Sequence, residues 1–296
     1  MKKKLINYLI SLMIIATTFG QEVDQIKLAN EYYQSKEYDK AVDIYKKLSK
    51  EKRNIPQIHS NYLDLMINND KPDDALKYIN YVIKQYPGNS RYRVDQIYVA
   101  RLLPNQKEYK RLKDALYDAS RGNVNTLKKI AEELSQRQLH NDALVFLSHA
   151  RVESQDSKAY ALDFAKNYSS LGNDPKMIAE YVNFASQQIR HIPYIKNILQ
   201  ELLSKESIKK ILEEVLIIRS QQYPDDVLYN DFLMWLYIQK NDYYGAFVQA
   251  KAIDRNSQRS GNTVMQVAKV AYDNQAYGDA MLFYDYIVTK SDQGSI

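Results

Sequence analysis

The residues able to act as catalysts or metal ligands are few, and their spacing is wrong for either task. The four histidines, His59, His140, His149 and His191, form no i, i+4 pair, no HExxH and no pairing with cysteine, so neither a zinc site nor a nucleophile with its base is predicted. Turn or surface positions are expected for all of them. The chain contains no GxxxxGKS/T loop, no GxGxxG turn and no GxSxG elbow. The carboxylate pairs Glu132-Glu133 and Glu213-Glu214 are adjacent in sequence and would diverge by about 100° on a helix, which predicts solvated faces instead of an acid–base couple. With no cysteine there is no disulfide framework, thiolate nucleophile or cysteine metal site. The expectation is a non-catalytic chain with no cofactor, no metal and no small-molecule substrate.

Tyrosine is the compositional outlier, with 26 residues against 7 Phe and 1 Trp, while only 8 Gly and 7 Pro leave few strand-turn signals. Helix-period patterning runs through nearly the whole chain, and sliding the sequence against itself gives a match at 34 residues. Ala41, Ala75, Tyr109, Ala143 and Met177 share that spacing; it slips by one residue through Ile211 or Leu212 and resumes at Ala246 and Ala280. A small residue recurs there because two antiparallel helices cross closely, and Ala fills the place in five of eight units. Two other positions recur on one face of the preceding helix. One is small, at Ala29, Ala131, Ala165 and Ala268; the next, three residues on, is large, at Tyr32, Met66, Leu134, Tyr168 and Tyr237. Turn signals at Asn69-Asp70-Lys71-Pro72, Leu171-Gly172-Asn173-Asp174-Pro175 and Lys240-Asn241-Asp242 fall between the helices, and Pro87 and Pro224 close their units.

This pattern resembles the tetratricopeptide-repeat family across essentially all of 22–294, most fully in 22–55, 56–89 and 261–294. The remaining units are expected at 90–123, 124–157, 158–191, 192–226 and 227–260, within one domain spanning 21–296. The third unit departs from the pattern, with Tyr109 and Lys113 where alanine and an aromatic are expected, and the sixth keeps only an apolar skeleton of Leu199, Leu202, Ile211 and Val215. The resemblance implies an all-α fold: a right-handed superhelix of about eight helical hairpins, with the first helix of each unit lining a concave groove. Carried over unit by unit, it places Lys27, Asn30 and Tyr33, then Asn61, Asp64 and Asn68, then Arg91, Asp95, Tyr98 and Arg101, then Lys128, Lys129 and Glu132 along that groove. Such a wall suits a protein or peptide partner, with Asn30 and Asn61 bonding a peptide backbone and Arg91 and Arg101 meeting carboxylates. Asn30, Asn61 and Arg91 partly resemble the carboxylate clamp of some members. Ile26 and Asp95 stand where that clamp needs bases, so its function is not carried over. Tyr32, Tyr168, Tyr237 and Tyr284 fall at packing positions of the repeat, whereas Tyr33, Tyr98 and Tyr272 fall outside them and either enter the groove or pack between units.

The first twenty residues have the order of an export signal. Lys2, Lys3 and Lys4 precede an apolar run from Leu5 to Thr17, and Thr18-Phe19-Gly20 precede the charged Glu22. Cleavage after Gly20 is expected, since the run is shorter than the roughly 20 residues of a membrane span; no transmembrane segment would remain. Its removal takes 3 of 41 basic side chains and leaves 38 against 36 acidic ones, a formal +2 that gives no counterion-release argument for nucleic acid. Without a cysteine to lipidate, a periplasmic or secreted protein is expected, not a lipoprotein. Two functions fit: an interaction scaffold of the bacterial cell envelope, or a non-catalytic helical region of a larger exported enzyme. The last predicted helix, 277–288, carries apolar residues on too many faces for one neighbour, so further repeats, self-association or a partner are expected to cover it.

Overall fold

The computed structural model describes residues 24–257 and 261–292, and the expected export signal at 1–20 lies outside them. All regular structure among the described residues is helical. Helix α1 covers 24–34. It is followed by α2 (Tyr38–Leu48), α3 (Ile55–Asn68), α4 (Pro72–Gln85), α5 (Ser90–Leu102), α6 (Gln106–Ser120), α7 (Val124–Gln136) and α8 (His140–Ser154). Then come α9 (Ala161–Ser170), α10 (Asp174–Ala185), α11 (Ile192–Leu202), α12 (Glu206–Gln222), α13 (Val227–Gln239), α14 (Tyr243–Ser257), α15 (Asn262–Asp273) and α16 (Tyr277–Asp292).

Helix starts are written in the sequence. Asn89, Asn105, Asn123, Asn173 and Asp226 each accept a backbone N–H of the helix they precede. Prolines occupy the first turn of α3, α4, α10 and α11, where a missing N–H costs nothing. Asp254, on α14, reaches across to accept from the amides of Thr263 and Val264 at the start of α15.

The turn inside most hairpins repeats as faithfully as the core does. Lys36, Asp70, Gln138, Gly172, Asn241 and Gln275 all have positive φ, at spacings that are multiples of the repeat apart from one slipped residue. After each of them the next amide donates to a carbonyl five residues back, as Lys71 does to Met66 and Leu139 to Leu134. This is the left-handed C-cap that closes a helix, here held mostly by residues other than glycine. Among the described residues the third and sixth units lack it. In the third, the equivalent place is Pro104, whose ring forbids positive φ.

The crossing positions are buried: Ala41, Ala75, Ala143, Leu212 and Ala246 are fully enclosed, and Met177 and Ala280 nearly so. Tyr109 is only half-buried. Chain contacts divide the protein into two compact units, Met1–Phe146 and Leu147–Ile296, where periodicity alone predicts one uninterrupted array. In the first, Tyr45, Tyr62, Tyr78 and Tyr92 pack with Ile55, Ile58, Leu63 and Ile79. In the second, one cluster centres on Leu199, Leu212, Leu216 and Phe232, and another on Phe247, Val267 and Phe283. Tyr32, Tyr168, Tyr237 and Tyr284 all pack against these clusters, as expected. Tyr272 is exposed and meets Tyr277 edge to face. On α16, Ala280 and Phe283 face inward, while Tyr277, Met281, Leu282 and Val288 are exposed.

Candidate protein-binding face

Within the first unit, α1, α3, α5 and α7 lie side by side, joined by side-chain bonds from one to the next. Asn30 Oδ1 accepts from the Tyr45 hydroxyl at 2.6 Å and from Asn61 Nδ2 at 3.0 Å, and Asn61 Nδ2 also donates to the Tyr45 oxygen at 3.2 Å. Both Asn61 N–H groups are therefore committed internally. An incoming backbone is left with Asn30 Nδ2 and Asn61 Oδ1, which make no hydrogen bond among the described residues. An open cavity of about 520 Å³ lies beside them, lined by Ile26, Lys27, Asn30, Gln34 and Gln57. Lys27 is exposed, 4.0 Å from Glu31, and Tyr33 is half-buried with its ring against Tyr38.

The centre of the face is a buried polar network that spacing within the sequence did not reveal. His59 is 2% exposed, which corrects the turn or surface position expected of it. Its Nε2 donates to Asp95 Oδ2 at 2.9 Å, and its Nδ1 lies 3.3 Å from the Tyr78 hydroxyl. Asp95 is 1% exposed, so it is not the groove residue that the repeat positions implied. Its other oxygen accepts from Arg137 Nε at 2.5 Å, and Arg137 Nη1 reaches Asp64 at 3.1 Å. Burial pushes the Asp95 carboxyl upward, but the His59 hydrogen bond and the Arg137 charge outweigh it and hold the group below the usual range. Burial also pushes the Tyr78 hydroxyl up, keeping it neutral. The Arg137 guanidinium sits over the half-buried Tyr98 ring at 5.3 Å, so Tyr98 packs between units instead of entering the groove freely. The pair His59–Asp95 has the partners of an acid–base couple, and both side chains are almost wholly buried.

A second cavity, of about 250 Å³, opens over this network and is lined by Ser60, Asp64, Arg91, Val94, Asp95, Glu133, Gln136 and Arg137. Arg91, exposed on α5, donates to Ser60 Oγ at 2.6 Å and makes no ion pair among the described residues. Glu133 corrects the expectation of a solvated carboxylate. Its Oε1 accepts from Ser90 at 3.2 Å, its Oε2 is buried with no hydrogen-bond partner, and burial pushes its pKa up. Glu132, its neighbour, is exposed and pairs with Lys128 at 2.6 Å. Glu213 is likewise partly enclosed, with Lys240 at 2.6 Å. Lys129, Asn68 and Arg101 are exposed, with Arg101 over the Tyr109 ring at 6.0 Å.

No protein-family model matches the chain, and no curated protein does. Among solved structures it is similar to a tetratricopeptide repeat protein from Parabacteroides merdae, at 12% identity over 77% of this chain and 90% of that one, TM-score 0.28. The C-terminal part of a TPR repeat-containing protein from Cytophaga hutchinsonii gives 16% identity over 79% and 96%, TM-score 0.33. The P58(IPK) TPR domain gives 11% over 90% and 92%, TM-score 0.25. The fold is a tandem array of tetratricopeptide-type hairpins. What establishes it is the recurring helix pair, buried crossing residue and left-handed turn in the chain itself, not these distant likenesses.

That fold explains the third unit's odd residues. Tyr109 and Lys113, on α6, both bond Asp142 on α8: the Tyr109 hydroxyl donates to Oδ2, and Lys113 Nζ lies 2.7 Å from Oδ1. Burial and the Asp142 carboxylate push the Tyr109 hydroxyl up to about 12. Asp142 is itself buried, so the register position that alanine fills in five units here carries a tyrosine bonded to a buried carboxylate on the second helix of the next hairpin. The sequence signal was available one repeat away. His59 and Asp95, like Tyr109 and Asp142, are about one repeat apart, a distance at which local motif patterns are silent. Among the described residues no group of three or more His, Cys, Asp or Glu could hold a metal ion, and no helix is long and apolar enough to cross a membrane.

Proposed function

We propose that this protein is a non-catalytic interaction scaffold of the bacterial cell envelope, exported by its first twenty residues, that binds an extended segment of a protein partner along α1, α3, α5 and α7. The observation that carries the reading is the continuity of that face: two cavities open on it, and side chains of all four helices are locked to one another across it. A preorganised wall loses little freedom on binding, which favours affinity. Arg91 and Lys129 stand on it as cations with no ion pair among the described residues, and Asn30 and Asn61 keep one donor and one acceptor for a peptide backbone. The enclosed position of His59 and Asp95 supports a structural role for the strongest acid–base pair present.

The test is affinity capture from the native envelope with the exported chain, comparing wild type with Arg91→Glu and Lys27→Glu, both on exposed side chains. A polypeptide retained by wild type and depleted about tenfold by either charge reversal is the expected result, the size of one lost charge-assisted contact. Capture of nothing, or of a partner indifferent to both substitutions, refutes the assignment of this face.

A further inference from the structure

We infer that the cavity enclosed by α3, α5 and α7 is a side-chain pocket for one cationic residue, lysine or arginine, of the bound segment. This deepens the proposed scaffold function and rests on it. The charge on the wall comes first: among the lining residues the three carboxyl groups of Asp64, Asp95 and Glu133 face the two cations Arg91 and Arg137. Arg137 is already divided between Asp95 and Asp64, so it offers nothing to an incoming anion. Glu133 is the group left wanting. Ser90 serves one of its oxygens; the other is buried without a partner, which is costly for a carboxylate and is relieved by a donor brought in from outside. Glu133 lines the cavity, so a donor placed there can reach its carboxyl group.

Size and lining agree with a long basic side chain. The volume of about 250 Å³ equals roughly eight waters of bulk liquid, enough for an unbranched stem and a charged head. Val94 lines the cavity as an apolar surface for the methylenes, and Asp64 supplies a second, partly exposed carboxylate for the head. A carboxylate in the same place would face Asp64 and Glu133 with only Arg91 to offset them.

A phage-displayed library of random peptides, panned on the complete exported chain, tests the pocket and the scaffold separately. Enriched peptides are expected to share lysine or arginine at one position, about tenfold above the library, as one charge-assisted bond provides. Glu133→Gln keeps the shape and removes the charge, and Gln136→Lys tethers a cation at the rim. Each is expected to abolish the basic preference while still retaining peptides, with the wild-type helical circular-dichroism spectrum. Peptides enriched without a basic position, or with an unchanged one in both variants, overturn the pocket and leave the scaffold standing. No enrichment by wild type removes both.

Discussion

Removing the Arg137 side chain is the sharpest test of the buried network. At 2.5 Å and an effective dielectric constant of about 20, the Arg137–Asp95 attraction is roughly 7 kcal/mol. Desolvating the two ions takes several kcal/mol each, so the intact pair is near balance. Arg137→Met removes the attraction but leaves Asp95, 1% exposed, with its desolvation cost unmet. Losses of ~3–5 kcal/mol are typical for such half-broken pairs, and the lower end is expected here because His59 still donates to Asp95. Adding Asp95→Asn removes the stranded charge, so the double variant should recover most of that loss. Exposed Arg91→Met serves as the control, expected within about 0.5 kcal/mol of wild type.

The pH dependence carries its own sign. In wild type the folded Asp95 pKa lies below its unfolded value of about 3.9, so the stabilisation is present above that value and is lost as pH falls through the lower folded one. Without Arg137, its charge and its hydrogen bond no longer hold the Asp95 carboxyl down, so the folded pKa rises from its wild-type position. The deficit of Arg137→Met should then shrink as pH falls through the variant's folded pKa, because the variant's folded state takes up the proton before the wild-type folded state does. Urea unfolding followed by circular dichroism at several pH values measures both effects. A single variant no less stable than the Arg91 control, or a double variant no better than the single, would show that Asp95 is not a stranded charge.

Ala75→Leu is expected to cost ~1–3 kcal/mol by overpacking a fully enclosed helix crossing, whereas Lys77→Leu, on a side chain 79% exposed, should change the melting temperature little. Equal melting temperatures would refute the repeat register. Lys36→Gly should stabilise by up to about 1 kcal/mol in thermal unfolding, because glycine relieves a φ of 62° whose strain exceeds glycine's added chain entropy; a loss would mean that the Lys36 side chain contributes more than its backbone strain costs. Intact mass of the exported protein should place the mature N-terminus at Gln21, and a species retaining Met1 or carrying a lipid would refute the export route proposed.

The helical hairpins were legible because they rest on periodic demands. A close crossing recurs along the chain and is met by a small residue in five of the eight units, so Ala41, Ala75, Ala143, Ala246 and Ala280 recur at the repeat spacing and are all buried. The exposure of Lys27, Arg91 and Lys129 was legible for the same reason. The buried polar groups were not. His59, Asp95 and Arg137 occupy different positions within their respective units, so no single register position marks them, and their pairing exists only once α3, α5 and α7 are adjacent. Glu133 was misjudged because the angle between neighbouring helix positions says which way a side chain points, not what stands in front of it. Ser90, in the preceding unit, stands there.

The units that fit the repeat least are informative about what fixes the order of the others. An apolar seam of alanine, leucine and tyrosine discriminates weakly between neighbours, since one hairpin's seam resembles the next. A buried carboxylate does not tolerate substitution of its partners. Asp95 on α5 requires His59 from α3 and Arg137 from the end of α7, and Asp142 on α8 requires Tyr109 and Lys113 from α6. Both requirements run through the third unit, which lacks the left-handed turn and carries Tyr109 where its neighbours carry alanine. Its departure from the repeat is therefore what makes it a specific neighbour: α3, α5, α6, α7 and α8 satisfy these two carboxylates together in one arrangement, and the cavity proposed to receive a cationic side chain lies against that arrangement.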